Sequence, residues 1–271
     1  MIQSCLLIHK ITVMNDTPSL TATSVPRRFE LKRVFAFLFQ PRKEFERIAA
    51  EEASSWQMPM LLLSLALILR LIVSGYFQSR AASMGQVPLP PDWQWWTPEM
   101  QNNYMQAIQQ TQNPVFVYII PIVMGLFGLW LGWPVLTGLL HLTSTLFGGR
   151  GKMGIALSLV AWASIPFALR DLLRVAFMLM VGRTISSPGL SGFITATGPG
   201  MLFLGQILAN VDIFSLWHIF LLILGFRLTD NLPAVKAAVG VLIVLTLTLL
   251  AQAGLGTLAL RLSGLMVTRQ F

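Results

Sequence analysis

Five apolar stretches, separated by short polar breaks, organise the chain at 58–77, 114–147, 154–182, 206–226 and 234–258. A bilayer's hydrocarbon core is ~30 Å thick, so about 20 apolar residues at 1.5 Å each cross it as a helix. Each stretch meets that length. The pattern therefore predicts an all-α polytopic membrane protein with five transmembrane helices, its membrane domain over 58–260 and a C-terminal tail over 261–271. Ahead of the first span the pattern changes. In 28–57, Phe29, Leu31, Val34, Phe35, Phe37, Leu38 and Phe39 interleave with Arg28, Lys32 and Arg33. Pro41 interrupts, and Phe45 and Ile48 then share one face. Proline suits a helix start, so two short helices meeting at Pro41 are expected, forming an amphipathic arm. Such a face fits either the membrane interface or the protein's own helices. Residues 1–27 are small and polar and read as a disordered tail. Whether Met1 or Met14 is the start is open from the sequence.

The breaks differ in character. The longest, 78–113, holds Pro88, Pro90, Pro91 and Pro98 with Trp93, Trp95 and Trp96, an aromatic anchor for a membrane interface. The second span contains Pro121 and Pro134 and should tilt or kink. Its Gly128 and Gly132 form a small-xxx-small pair that allows a neighbouring helix close. Segment 187–205 is apolar but rich in Gly and Pro, and reads as a loop dipping into the interface.

Charge sets the topology. Only 11% of residues are charged and mean hydropathy is +0.68, while the net charge is +8. In a soluble protein that balance would suggest nucleic acid. Here the basic residues flank the spans, which points to anionic headgroups and orientation, and no nucleic acid. With five spans, one side carries twelve Lys/Arg (eight in the arm, then Arg150, Lys152, Arg227 and Lys236) and the other carries Arg80, Arg183, Arg261 and Arg269. The positive-inside rule places the N-terminus in the cytoplasm and the C-terminus outside, in a multi-pass protein of the cytoplasmic (cell) membrane. Cys5 is the only cysteine, so no internal disulfide or thiolate metal site is expected.

Several stretches then acquire meaning together: Phe37-Leu-Phe-Gln-Pro-Arg-Lys-Glu-Phe-Glu-Arg-Ile in the arm, Phe147-Gly-Gly-Arg-Gly-Lys-Met-Gly, and Ala161-Trp-Ala-Ser-Ile-Pro166. They are followed by Asp212-Ile-Phe-Ser-Leu-Trp-His, Leu224-Gly-Phe-Arg and Lys236-Ala-Ala. In this order the chain, over about 35–256, resembles the bacterial branch of the Yip (Ypt/Rab-interacting-protein) domain family of five-span proteins. The resemblance implies a cytosolic N-terminus and five packed helices. Eukaryotic members act in vesicle trafficking and contact prenylated Rab-type GTPases, but their Asp-Leu-Tyr-Gly-Pro signature is absent here, so that role is not implied.

Enzymatic chemistry finds little footing. Residues 147–153 superficially suggest a phosphate loop, but Leu146 and Met153 stand where Gly and Ser/Thr are needed. His141 and His218 lack metalloprotease spacing, and no Gly-x-Ser-x-Gly elbow occurs. His218, mid-span, reads as a core histidine. No catalytic residue, cofactor or metal is expected. The charges within the spans are the main lead. Counted from the inner face, Asp171 lies at ~25 Å, Asp212 at ~20 Å and Arg70 at ~18 Å. Arg170 and Arg174 share a face with Asp171 three residues from Arg174. One intramembrane cluster of Arg70, Arg170, Asp171, Arg174 and Asp212 is thus expected in the outer half. It is either functional, since an unpaired intramembrane charge is costly, or structural, with Arg170 and Arg174 snorkelling to outer phosphates. Pro166, one turn earlier, is placed to bend the helix and free a carbonyl. On the inner side, Arg42, Lys43, Arg150 and Lys152 are expected to meet lipid phosphates. The sequence thus points to a non-enzymatic organiser or adaptor whose partners are the bilayer and other membrane proteins or further copies of itself. The alternative is a transporter or lipid-moving protein that uses the charge cluster.

Overall fold

The computed structural model describes residues 31–50, 55–86, 89, 93–194 and 199–269. All regular structure among them is helical. The expectation for 1–27 lies outside these residues. The arm forms α1 (Leu31–Phe39) and α2 (Pro41–Ala50), meeting at Gln40 with Pro41 as the first residue of α2. Then follow α3 (Gln57–Ser83), α4 (Pro98–Thr111), α5 (Ile120–Leu146), α6 (Met153–Ala163) and α7 (Ile165–Val181). The chain ends with α8 (Pro199–Ala209), α9 (Ile213–Thr229) and α10 (Ala234–Arg269). Four segments are long and apolar enough to cross a membrane, namely α3, 115–146, α6 with α7, and α10 to Leu260; α8 and α9 make a fifth if the pair, bent by 65°, is counted as one broken span. The protein is thus a polytopic membrane protein.

The centre of the bundle is α6. Its residues Ala156 and Ser158–Ala163 are all buried, because α2, α5 and α9 surround it. Close approach by α9 depends on Gly225, where a β-carbon would lie 2.8 Å from Leu159 Cγ. The arm completes this core. Phe37, Phe45 and Ile48 are buried, and the Phe37 ring lies 5.2 Å from Phe45 and 5.5 Å from the fully buried Trp162. Arg33 pairs with Glu44 at 2.8 Å and stacks over Trp162 at 4.9 Å. Of the two faces open to the arm from its sequence, one packs on the protein's own helices. Phe35 and Phe39, on the other, are 64% and 81% exposed.

Three departures from the expected layout matter. The third span is interrupted at Ser164, two residues before Pro166, which has no N–H to give the Trp162 carbonyl. Phe167 N–H bonds Ser164 O at 2.9 Å, and α7 starts afresh with Pro166 in its first turn. The fourth span is not one helix over 206–226, nor is 187–205 a plain loop. Segment 199–209 is helical and lies along α10, while a 3₁₀ turn, Gly189–Phe193, presses on the break. Gly189 has φ +60°, and a β-carbon there would lie 2.7–2.9 Å from the carbonyls of Leu208, Ala209 and Val211, so glycine is required twice over. Finally, the polar 78–113 segment contains α4, capped by Thr97, whose side chain accepts from Met100 N. Gln101 Nε2 donates to the carbonyls of Trp93 and Trp96, and Trp93, Trp96 and Tyr104 pack together; only Trp95, 83% exposed, is free to anchor in a bilayer.

The second span opens with a π-helical turn, Val115–Ile119, and keeps Pro134 inside α5. Among the described residues nothing lies within 4 Å of a β-carbon built on Gly128 or Gly132, so no described helix packs closely on that pair. Close approach occurs instead at Gly125, against Leu71 and Leu67 of α3. Phe45→Ala should cost about 3–5 kcal/mol and speed tryptic cleavage after Arg42 and Lys43. Phe39→Ala, on the exposed face, should change the thermal midpoint in detergent little.

Candidate functional site

Five charged side chains meet between α3, α7 and α9, towards the end of the bundle opposite the arm. Arg70 comes from the middle of α3. Arg170, Asp171 and Arg174 come from the second and third turns of α7, where helical spacing puts the arginines on one face. Asp212 arrives differently from the expectation. It was read as lying within the fourth span, about six residues from its end, but it stands at the break itself as the N-cap of α9. Its extended backbone starts the helix, its Oδ1 accepts from Ser215 N at 2.9 Å, and Ser215 Oγ accepts from Asp212 N at 3.2 Å. That reciprocal cap satisfies two end N–H groups at once.

One oxygen of Asp212 therefore caps α9 and the other is left for α7. Oδ2 lies 3.4 Å from Arg170 and 3.5 Å from Arg174. Asp171 Oδ1 lies 3.3 Å from Arg70, 3.7 Å from Arg170 and 3.9 Å from Arg174. The structure brings all five residues into one ion-pair network linking three helices. The carboxylates are its inner layer, 10% and 13% exposed, and the arginines its outer layer, at 20–28%. Below the network, the Arg170 guanidinium covers Phe167 at 4.7 Å, and Phe167 stacks on His218. His218 Nδ1 lies 2.8 Å from Ala163 O, the carbonyl left over by the break at Ser164. A carbonyl only accepts, so Nδ1 carries the proton and His218 is a buried structural donor. Among the described residues no three His, Cys, Asp or Glu side chains are grouped to hold a metal.

Residues 35–255 match the Yip1 domain. The chain belongs to the Yip1 domain family. No curated protein and no solved structure matches it. The matched region runs from the arm to α10, so arm and bundle together make up the Yip1 domain.

At the arm end of the Yip1 domain, the four residues expected to meet lipid phosphates, Arg42, Lys43, Arg150 and Lys152, are all exposed. They are not gathered around one ligand, and Arg42 pairs with Glu46 at 3.0 Å. The turn carrying Arg150 and Lys152 is held by a residue that sequence reasoning passed over. Asp230, 3% exposed at the end of α9, accepts hydrogen bonds from Ser144 Oγ and from Thr229 Oγ1. Arg150 N–H bonds the Asp230 carbonyl, and Lys236 Nζ bonds the Phe147 carbonyl. A β-carbon on Gly151 would collide with the Asp230 carboxylate, and one on Gly149 with Ser144. Gly149 and Gly151 thus make room for a buried acid. An acid placed just where an apolar span ends was the available signal.

Asp212→Ala should destabilise the protein by about 2–3 kcal/mol, between the exposed and buried limits for a broken ion pair, with the cap lost as well. Asp212→Asn keeps a cap and should cost less, the difference reading out as a smaller drop in thermal midpoint. Gly151→Ala should cost about 1–3 kcal/mol by overpacking, and a midpoint equal to wild type would contradict the buried role of Asp230.

Proposed function

We propose that this Yip1 domain protein is a non-enzymatic organiser of the cytoplasmic membrane, with its arm on the cytoplasmic side. It would hold other membrane components to a rigid five-span scaffold. The observation that carries this reading is the mutual pairing of Arg70, Arg170, Asp171, Arg174 and Asp212. Charges lining a transport path must exchange with water and cargo, whereas these tie α3, α7 and α9 to one another. Large surfaces remain for partners or further copies of the chain. In α5 the open Gly128–Gly132 strip and Phe127, Trp130 and Leu131 face outward. Arg42, Lys43, Arg150 and Lys152 suit an anionic inner leaflet, at about 1 kcal/mol for each side chain near the surface.

A second reading has one specific observation behind it. A span broken beside a charge is the arrangement by which transporters expose polar groups at mid-membrane, and the fourth span is broken at Asp212. One experiment separates the two. Liposomes containing the wild type or Asp212→Asn are assayed for phospholipid flip-flop and anion flux, and the same proteins are photo-cross-linked from α5 in cells. The scaffold reading expects flux equal to empty liposomes and an unchanged cross-link pattern in Asp212→Asn. Flux above background that Asp212→Asn abolishes would replace it with transport.

A further inference from the structure

The network at α3, α7 and α9 balances only in part: three guanidiniums face two carboxylates. No other acidic side chain among the described residues lies within ion-pair distance of Arg70, Arg170 or Arg174. One positive charge is therefore in excess at a place where an unpaired charge is costly. The donors are in greater excess. Three guanidiniums carry about fifteen N–H groups. Only two hydrogen bonds within the cluster are drawn from them, both long and both to Asp212 Oδ2. The buried Nε atoms of Arg70 and Arg170 face Asp171 Oδ1 at 3.3 and 3.7 Å without forming a hydrogen bond to it, so the excess donors are the terminal guanidinium nitrogens.

We propose that Arg70, Arg170 and Arg174 bind a phosphate group, as the headgroup of a phospholipid or as free phosphate. Three features favour that chemistry. The guanidiniums lie outside the carboxylates, so an anion arriving from the lipid side meets donors first and the acids stay behind them. Three planar forks on two helices match the several oxygens of a phosphate better than the two of a carboxylate. The depth is also right. Asp212 begins α9 at about 27 Å from Asp230, near the far edge of a ~30 Å core, and Arg174 reaches further along α7. A headgroup there needs little displacement from its usual plane. The fixed positive end of α9, already capped by Asp212, adds to the same field. This inference does not depend on the scaffold reading, because a bound phosphate is retained whether or not a partner docks.

The full chain, extracted in mild detergent from liposomes of phosphatidylglycerol and phosphatidylcholine, is examined by native mass spectrometry. Wild type should keep one phospholipid per chain, Arg174→Gln at least tenfold less, and Arg174→Lys an intermediate amount. Arg174→Gln leaves two arginines against two aspartates, so its thermal midpoint in lipid-free detergent should not fall below that of wild type. Delipidated wild type is titrated in parallel with inorganic phosphate and with short-chain phosphatidylglycerol, which needs no variant. A midpoint raised by phosphate alone identifies free phosphate as the ligand. A midpoint raised only by the short-chain lipid identifies a headgroup. A midpoint of delipidated wild type that neither probe moves, with equal lipid retention by folded wild type and Arg174→Gln, overturns the proposal.

Discussion

An ionised side chain inside a bilayer has to find an opposite charge within the protein, and the arrangement of α3, α7 and α9 follows from that requirement. Asp212 meets it with both oxygens at once. Oδ1 closes the start of α9, and Oδ2 holds the two arginines of α7. The break in the fourth span is therefore a structural necessity as well as a local irregularity. As the N-cap residue, Asp212 presents one oxygen to the first turn of α9 and the other sideways to α7. Asp171 repeats the logic towards α3 through Arg70. The network joins the first, third and fourth spans, which are distant in sequence and have no apolar driving force for association in lipid.

The remaining polar features of the bundle solve the same problem for the backbone. Pro166 lacks an N–H and interrupts the third span, leaving the Ala163 carbonyl without its usual partner. The protonated Nδ1 of His218 supplies one from α9. Trp162 Nε1 donates to the Ser55 carbonyl and Trp133 Nε1 to the Leu157 carbonyl, so these two tryptophans act as cross-links between segments. At the arm end, Asp230 gathers Ser144, Thr229 and the backbone of Arg150 around the glycine-rich turn. Five of the six stretches that carry the family resemblance hold one of these joints. Phe37 and Phe45 dock the arm, Gly149 and Gly151 admit Asp230, Ala163 and Pro166 form the break that His218 fills, and Gly225 lets α6 and α9 touch. The Yip1 domain pattern in this chain is thus a pattern of fastenings between helices.

Much of this was legible in the sequence because the bilayer reads length and polarity almost directly. Five apolar stretches of spanning length, the Pro41 junction, and the grouping of five charges at similar depth all follow from a rise of 1.5 Å per residue and the cost of charge in lipid. Helix interruptions were not legible in the same way. A hydropathy run is blind to direction, so 206–226 looked like one helix although Asn210-Val-Asp212 ends one and begins another at 65°. The Asp-x-x-Ser spacing to Ser215 was the only local hint. Asp230 escaped for the opposite reason, since a polar residue at the end of a span looks solvated until the glycines that bury it are seen beside it. What the sequence by itself determined is which stretches are long and apolar enough to cross a bilayer and which charges must find partners. What only the tertiary structure decided is which partners they find, because pairing depends on the sideways placement of helices, and in a lipid medium that placement is set by a few close contacts between residues far apart in the chain.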